Sequence, residues 1–490
     1  MVLVVASVLL YACSTPPGNE LRFGLSSAPI NLDPRFATDA ASSRVNRLIY
    51  DHLVDFDDSY RIAPSLAEWE QVSDLEYRFT LVQSREFKDG SQVTAADVKA
   101  TYDSILDPET GSPHRAGLSM IESIAVLDDK RLTFKLNKAD LLFPGRLVIG
   151  ILPKKLIEQD HAFNRSPVGS GAYTFSSWPE DGVLNLQRRS DNLKLALIEV
   201  KKPTVRVLKL LRGEIDMLQN DLPFELVSHL SKESNISVTK GRGSNFTYLG
   251  FNFQDEETSN LKLRQAIAHG LNREEIIKYV MGGSAIEASA LLPPDHWAGL
   301  ALPYIQYNPE KARLLIREAG YVGGKRPSLV YKTSSNPFRI RLATVIQTQL
   351  QDVGIDVELR SYDWGTFYGD IKAGRFQMFS LSWVGIKTPD IFRYVFHSDS
   401  VPPNGANRGR FFDTTTDQLI DSAETATDLE SQAKYYQQLQ AHLLSSLPYV
   451  PLWYEDHVFA ARKGINGYTL ARDGNYDGLK YVTKEFGIDK

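Results

Sequence analysis

The sequence predicts an α/β fold built on a largely parallel sheet, and three observations point that way. Residues 339–392 read helix, strand, helix, strand; a further strand at 328–332 precedes them; and Gly354 and Gly374 stand where the two helices should stop. Strands joined through helices are crossover units, which lay neighbouring strands parallel.

Each of these elements has its own justification. The first helix carries Ile340, Ala343, Ile346 and Leu350 on one face, and the strand after it alternates Ile355, Val357 and Leu359. Asp363 caps the second helix, which carries Trp364 and Phe367. Residues 377–383 are mostly apolar, as suits a strand covered on both faces. Ligands of open α/β sheets sit beyond the carboxyl ends of the strands. Ser334, Ser335 and Asn336 leave one such end, and Trp383, Gly385 and the loop VGIKTPD leave another. Either this indole and polar loop line a pocket, or Trp383 fills the core, where tryptophan is usually well buried.

The amino-terminal part is read in the same way. Residues 1–12 form an apolar run too short to span a bilayer as a helix and of the length of a secretory signal's apolar part. Leu10, Tyr11, Ala12 and Cys13 look like a lipobox, with Cys13, the single cysteine of the chain, as the acylated residue and residues 14–20 as a flexible tether. Tyr11 is bulky for its position and no Lys or Arg precedes the run, so an ordinary cleaved signal is the competing reading. The folded part opens with a strand at 21–24 and a helix with Val45, Leu48 and Ile49 on its buried face. Tyr77, Phe79 and Leu81 mark a half-buried strand, Asp89-Gly90 a turn, and Thr94 with Asp97 a capping box. The glycines of PVGSGAY at 167–173 fit neither dinucleotide nor phosphate-loop spacing and are expected to let a tight turn pack against a neighbouring backbone. Residues 206–217 read as an amphipathic helix and short strand, and YLGFNFQ at 248–254 as an aromatic strand. Asn272 with Glu275 and Asn308-Pro309 open two more helices.

Composition excludes several classes. The net charge of −5 over 490 residues is small, without the basic stripe of a nucleic-acid binder or the short repeats of a solenoid. The nine histidines include no His-Glu-x-x-His, one cysteine rules out thiolate clusters, and no Gly-x-Ser-x-Gly elbow occurs. Carboxylates are too numerous for a glycosidase pair to be picked out. A binding protein is therefore the better reading than an enzyme, with no metal and no cofactor.

Taken together, LDP at 32, LIYDHLV at 48, PSLAEWE at 64, YRFTL at 77 with EFKDGSQVTAADV, PVGSGAY at 167 and RGEIDM at 212 resemble bacterial extracellular solute-binding proteins of family 5. The resemblance continues through YLGFNF at 248, LRQAIAHGLNREEII at 263, YNPEKARLLIREAGY at 307, LQDVGIDVE at 350 and W…PDIF from 383. These proteins are the oligopeptide and dipeptide receptors of ABC importers. The resemblance implies a two-lobed periplasmic-binding-protein-like fold of type II, cluster C. Lobe I is expected at residues 20–242 plus 463–490, with an inserted subdomain at about 44–164, and lobe II at 243–462.

The resemblance also implies a hinged trap that closes on its ligand, acts as a monomer, docks on a membrane permease and binds no nucleic acid. Export to the periplasm or cell surface follows, with lipid anchoring through Cys13. Its ligand residues are expected among Trp383, Gly385, Ile386, Asp390, Arg339, Arg341, Tyr248, Asn252, Asn407 and Arg408. Peptide receptors of the family hold the free amino end with an acid three residues after the loop tryptophan, and this chain has Ile386 there. An isoleucine cannot compensate an ammonium group, whose unpaired burial is expensive. Asp390 takes over, or the ligand lacks that group. Arg341 or Arg339 occupies the neighbourhood where the dipeptide branch binds a carboxylate. The alternatives are a receptor for a glycan, metal chelate or modified peptide, a surface sensor or chaperone using the same trap, and a secreted hydrolase.

Overall fold

The computed structural model describes residues 20–179 and 182–485, so Cys13 and nearly all of the tether lie outside the described residues. Two strands organise the rest: Ile236–Phe251 and Tyr449–Arg462 run antiparallel, with a register shift near Gly241 and Asn245. They form the middle of an eleven-stranded sheet that extends to either side into a separate apolar core.

On one side, Met378–Trp383, Ser328–Ser334 and Asp356–Tyr362 continue the sheet. Helix Pro337–Val353 packs there, capped by Asn336, whose side chain accepts from the Phe338 and Arg339 amides, and ended by Gly354 at φ 99°. Asp363 caps Trp364–Ala373 by accepting from Thr366 N. On the other side, Met217–Gln219, Glu20–Leu25 and Lys194–Glu199 continue it. The core there joins Phe23, Val45, Leu48 and Leu195 with Tyr476 and Leu479 from the carboxyl-terminal segment. We call this side lobe I and the other lobe II.

The sheet is mixed, which corrects the expectation of a largely parallel one. Parallel pairing is confined to Ser328–Ser334 with its two neighbours and to Glu20–Leu25 with its two neighbours. The crossing strands pair antiparallel with each other and with Met378–Trp383 and Met217–Gln219. The aromatic strand read at 248–254 is the end of the sixteen-residue strand Ile236–Phe251. Its first half is largely exposed, so it lacks the apolar alternation that marks a strand in sequence.

A four-stranded antiparallel unit, Ala67–Ser73, Glu76–Leu81, Arg131–Leu136 and Ile121–Val126, stands on lobe I with helix Ala95–Leu106. Thr94 N donates to Asp97 Oδ2 at 2.8 Å, so the capping pair forms. The core of this unit runs from Leu53 to Ile151. Helix Ala40–Ile49, at the start of the span expected for the insertion, packs with lobe I instead. The glycine turn at 167–173 rests on the end of that helix. Gly171 N donates to Ile49 O at 2.8 Å, and a Cβ on Gly169 would lie 2.2 Å from that oxygen.

Candidate functional site

Helix Ala40–Ile49 makes one wall of the site. Asp39 accepts from Ser42 N at 2.8 Å and starts the helix, while Ser42 Oγ accepts from the Ile30 and Asn31 amides and holds the preceding loop. With Val45, Leu48 and Ile49 turned into lobe I, helical periodicity sends Ser43 and Arg47 the other way and leaves Arg44 and Asn46 on the two flanks. These four residues face a cleft of about 780 Å³ between the lobes. The opposite wall is the lobe II loop after Met378–Trp383, through Val384, Gly385, Lys387, Thr388 and Asp390. Gly385 sits at φ 70°, a left-handed conformation that glycine adopts without strain.

Ion pairs tie the walls together. Arg146 Nη1 donates to Asp390 Oδ2 at 3.0 Å, and its Nε to Asp140 Oδ2 at 2.6 Å. Thr388 Oγ1 donates to the other Asp390 oxygen. Lys387 Nζ reaches into lobe I, 2.8 Å from Asp473 Oδ2 and 5.2 Å from the centre of the Phe56 ring. Burial alone would push the Asp473 carboxyl up, but the Lys387 ammonium outweighs it and holds it below the ordinary carboxylate range. Arg47 is fixed by Asp55 at 2.6 Å and Asp477 at 2.9 Å. Beside it, burial first and the Arg47 charge second push His52 down to about 3, so it is neutral at pH 7.

A second cavity of about 560 Å³ adjoins the first at Val384. Thr247, Thr333, Ser334, Ser335, Asn336, Ser380 and Ser382 give it a hydroxyl-rich lining, and Trp364, 59% exposed, stands at its side. The polar strand end read from sequence therefore does border a cavity. Arg339 lines it too, with Nη1 at 2.9 Å from Glu455 Oε1. The Glu455 charge is the main reason that the guanidinium is held above its ordinary pKa.

The remaining expected residues have other surroundings. Ile386 is 9% exposed and packs in the lobe II core with Phe392 and Phe396, so it presents no group to the cleft. Arg341 pairs with Glu225 across the lobes. Asn252 donates to Gly374 O and Phe376 O and accepts from Gln254 N, which fixes a turn. Asn407 Nδ2 donates to Phe411 O at 2.7 Å and is buried. Tyr248 is fully buried, stacked on Tyr449 with ring centres 3.8 Å apart. Arg408 donates to the Tyr248 and Tyr368 hydroxyls, both at 3.2 Å, and its guanidinium lies 4.8 Å from the centre of the Trp383 ring. Trp383 is half-buried and lines neither cleft. Trp383, Tyr248 and Arg408 thus form one packed cluster behind the site, with Asn252 and Asn407 bracing loops. The sequence reading placed Lys387 in its candidate loop but missed Arg44, Asn46 and Arg146, although the polar positions interleaved with the apolar stripe of helix 40–49 were a signal for the first two.

Two lobes joined by a pair of crossing strands, with a solute-sized cleft closed by contributions from both, define an extracytoplasmic solute receptor of the hinged-trap class. The chain belongs to the bacterial extracellular solute-binding proteins, family 5, whose model matches residues 61–402. It is 25% identical to the oligopeptide-binding protein AppA of Bacillus subtilis, over 95% of this chain and 94% of that one. Among solved structures, it resembles the periplasmic binding protein DppA of Helicobacter pylori in complex with the peptide STSA. The TM-score is 0.77 at 26% identity, covering 95% and 98% of the two chains. It also resembles AgaA from A. tumefaciens R10 in complex with agropinic acid, with TM-score 0.75, 26% identity and coverage of 95% and 99%.

Proposed function

We propose that this chain is the receptor of an ABC importer and captures a peptide or peptide-like solute in the cleft between helix 40–49 and the 384–390 loop. The observation that carries the reading is the cleft itself. Its volume of about 780 Å³, with walls from both lobes, falls within the roughly 300–1,000 Å³ of small-molecule sites. A solute that touches both walls only when they are together favours the closed form by its differential affinity. That is capture without chemistry. The relatives' peptide ligands support the same reading. Delivery to a permease, function as a monomer and anchoring through Cys13 complete it.

A second reading, a non-peptide or end-modified solute, is favoured by one observation. Both carboxylates that line the cleft, Asp390 and Asp473, already hold a cation of the opposite lobe. Native mass spectrometry of the protein purified without unfolding decides between the two. Release of short peptides on denaturation supports the first reading, and a single non-peptide compound supports the second. A protein that carries no solute and binds none from a peptide digest overturns the first reading.

A further inference from the structure

We propose that Arg44 forms an anion subsite on lobe I that takes a carboxylate of the captured solute, which therefore does not depend on a free ammonium group. The proposal rests on the receptor reading above and names the chemistry of its cleft.

Four cations line the cleft: Arg44, Arg47, Arg146 and Lys387. Arg47 is held by Asp55 and Asp477, Arg146 by Asp140 and Asp390, and Lys387 by Asp473. Arg44 alone among them forms no ion pair among the described residues; its guanidinium lies 5.5 Å from the centre of the Tyr476 ring. The ring supplies a face to lean on but no counter-charge.

Two positions along the same helix, Asn46 is 6% exposed, and both its amide nitrogen and its oxygen are buried without a hydrogen-bond partner. An unsatisfied buried amide is costly, and natural structures keep one only where something completes it. Asn46 borders the cleft, but both of its amide atoms are closed off from it, so the subsite rests on Arg44. An unpaired guanidinium that lines the cleft is the donor a carboxylate site needs, where charge-assisted bonds are the strong ones. On the lobe II side the only lining acid is Asp390, engaged by Arg146 and Thr388. An ammonium end would have to displace one of these, whereas an anionic end meets Arg44 unopposed.

The test uses the full chain and its Arg44→Gln variant, immobilised and offered a complete casein digest in three portions: untreated, N-acetylated and methyl-esterified. Retained peptides are quantified by mass spectrometry. The wild type should retain acetylated peptides as well as untreated ones. Esterification should cut retention at least about tenfold, the worth of one charge-assisted hydrogen bond. R44Q should hold untreated peptides no better than esterified ones. Undiminished retention of esters, or loss on acetylation, overturns the subsite and leaves the peptide receptor standing. If the wild type retains no portion, the peptide reading fails, and melting temperatures with succinate and with N-acetylglutamate decide the subsite. A rise in the wild type that R44Q lacks upholds it, and no rise with either acid overturns it too.

Discussion

Arg146 and Asp390 stand 244 residues apart and meet at 3.0 Å across the mouth of the cleft. Asp390 is the acid that the sequence offers as a substitute for the one missing at Ile386, yet its charge is spent on holding the lobes together. Arg146 keeps Asp140 at 2.6 Å whether or not Asp390 is there, so Asp390 can be neutralised without stranding a buried cation. Asp390→Asn should therefore loosen the closed form by about 1 kcal/mol, the upper range for a pair as exposed as this one. Small-angle scattering should show a larger radius of gyration for D390N than for the wild type. Superimposable scattering curves would remove the pair from the closing mechanism.

Trp383 lies between two roles, pocket wall and core, and the structure places it against Arg408 and Tyr394. Arg408 is 7% exposed and bonds only tyrosine hydroxyls, so the indole face is part of what a buried guanidinium has in place of an acid. Trp383→Ala should cost about 3 kcal/mol through the cavity and the lost cation–π contact. A shift of the urea midpoint to match is expected. A midpoint equal to that of the wild type would mean that the indole contributes little to the core.

Ile386→Asp is the substitution that would restore the acid at the family's usual position. Here the side chain packs with Phe392 and Phe396, and a carboxylate placed there loses hydration without gaining a partner. The variant should be destabilised by about 3 kcal/mol or more and should bind free-amino peptides no better than the wild type. Improved binding of such peptides by a well-folded I386D would show that the loop can turn this residue outward.

How much of this was legible follows from the range over which each interaction acts. The cap at Asp363, the stop at Gly354 and the buried stripe of Val45, Leu48 and Ile49 are set within one or two helical turns, and a sequence displays them directly. The Ile236–Phe251 strand is different, because its first half is too exposed to alternate and is held by Tyr449–Arg462, some two hundred residues on. The site suffers most from this. Arg146 with Asp390, Lys387 with Asp473 and Arg339 with Glu455 are pairs that only the folded chain brings together. A charged residue looks the same in sequence whether its charge is free for a ligand, as at Arg44, or already compensated, as at Arg339.

His52 and His296 are two of the buried histidines that shape the acid side of the stability profile. His52 is pushed down to about 3 by burial and then by the Arg47 charge, and His296 to about 4 by burial. His296 also has both ring nitrogens committed: Nε2 lies 3.0 Å from Lys387 O and can only donate there, and Nδ1 accepts from Ala298 N at 3.0 Å. A second proton would turn Nδ1 against an N–H. Unfolded, each imidazole titrates near pH 6.5, so below that value the unfolded chain takes up protons that the folded chain refuses. Stability should therefore be flat in these two groups above about pH 6.5 and fall by about 1.4 kcal/mol per pH unit per histidine below it, until the folded values are reached. From pH 7 to 5 the two together should remove about 4 kcal/mol by this linkage. His52→Gln, which cannot take up a proton, should lose about 2 kcal/mol less than the wild type over the same interval. Urea midpoints of the wild type and H52Q at the two pH values make the measurement, and an equal drop in both would show that His52 is not the group being titrated.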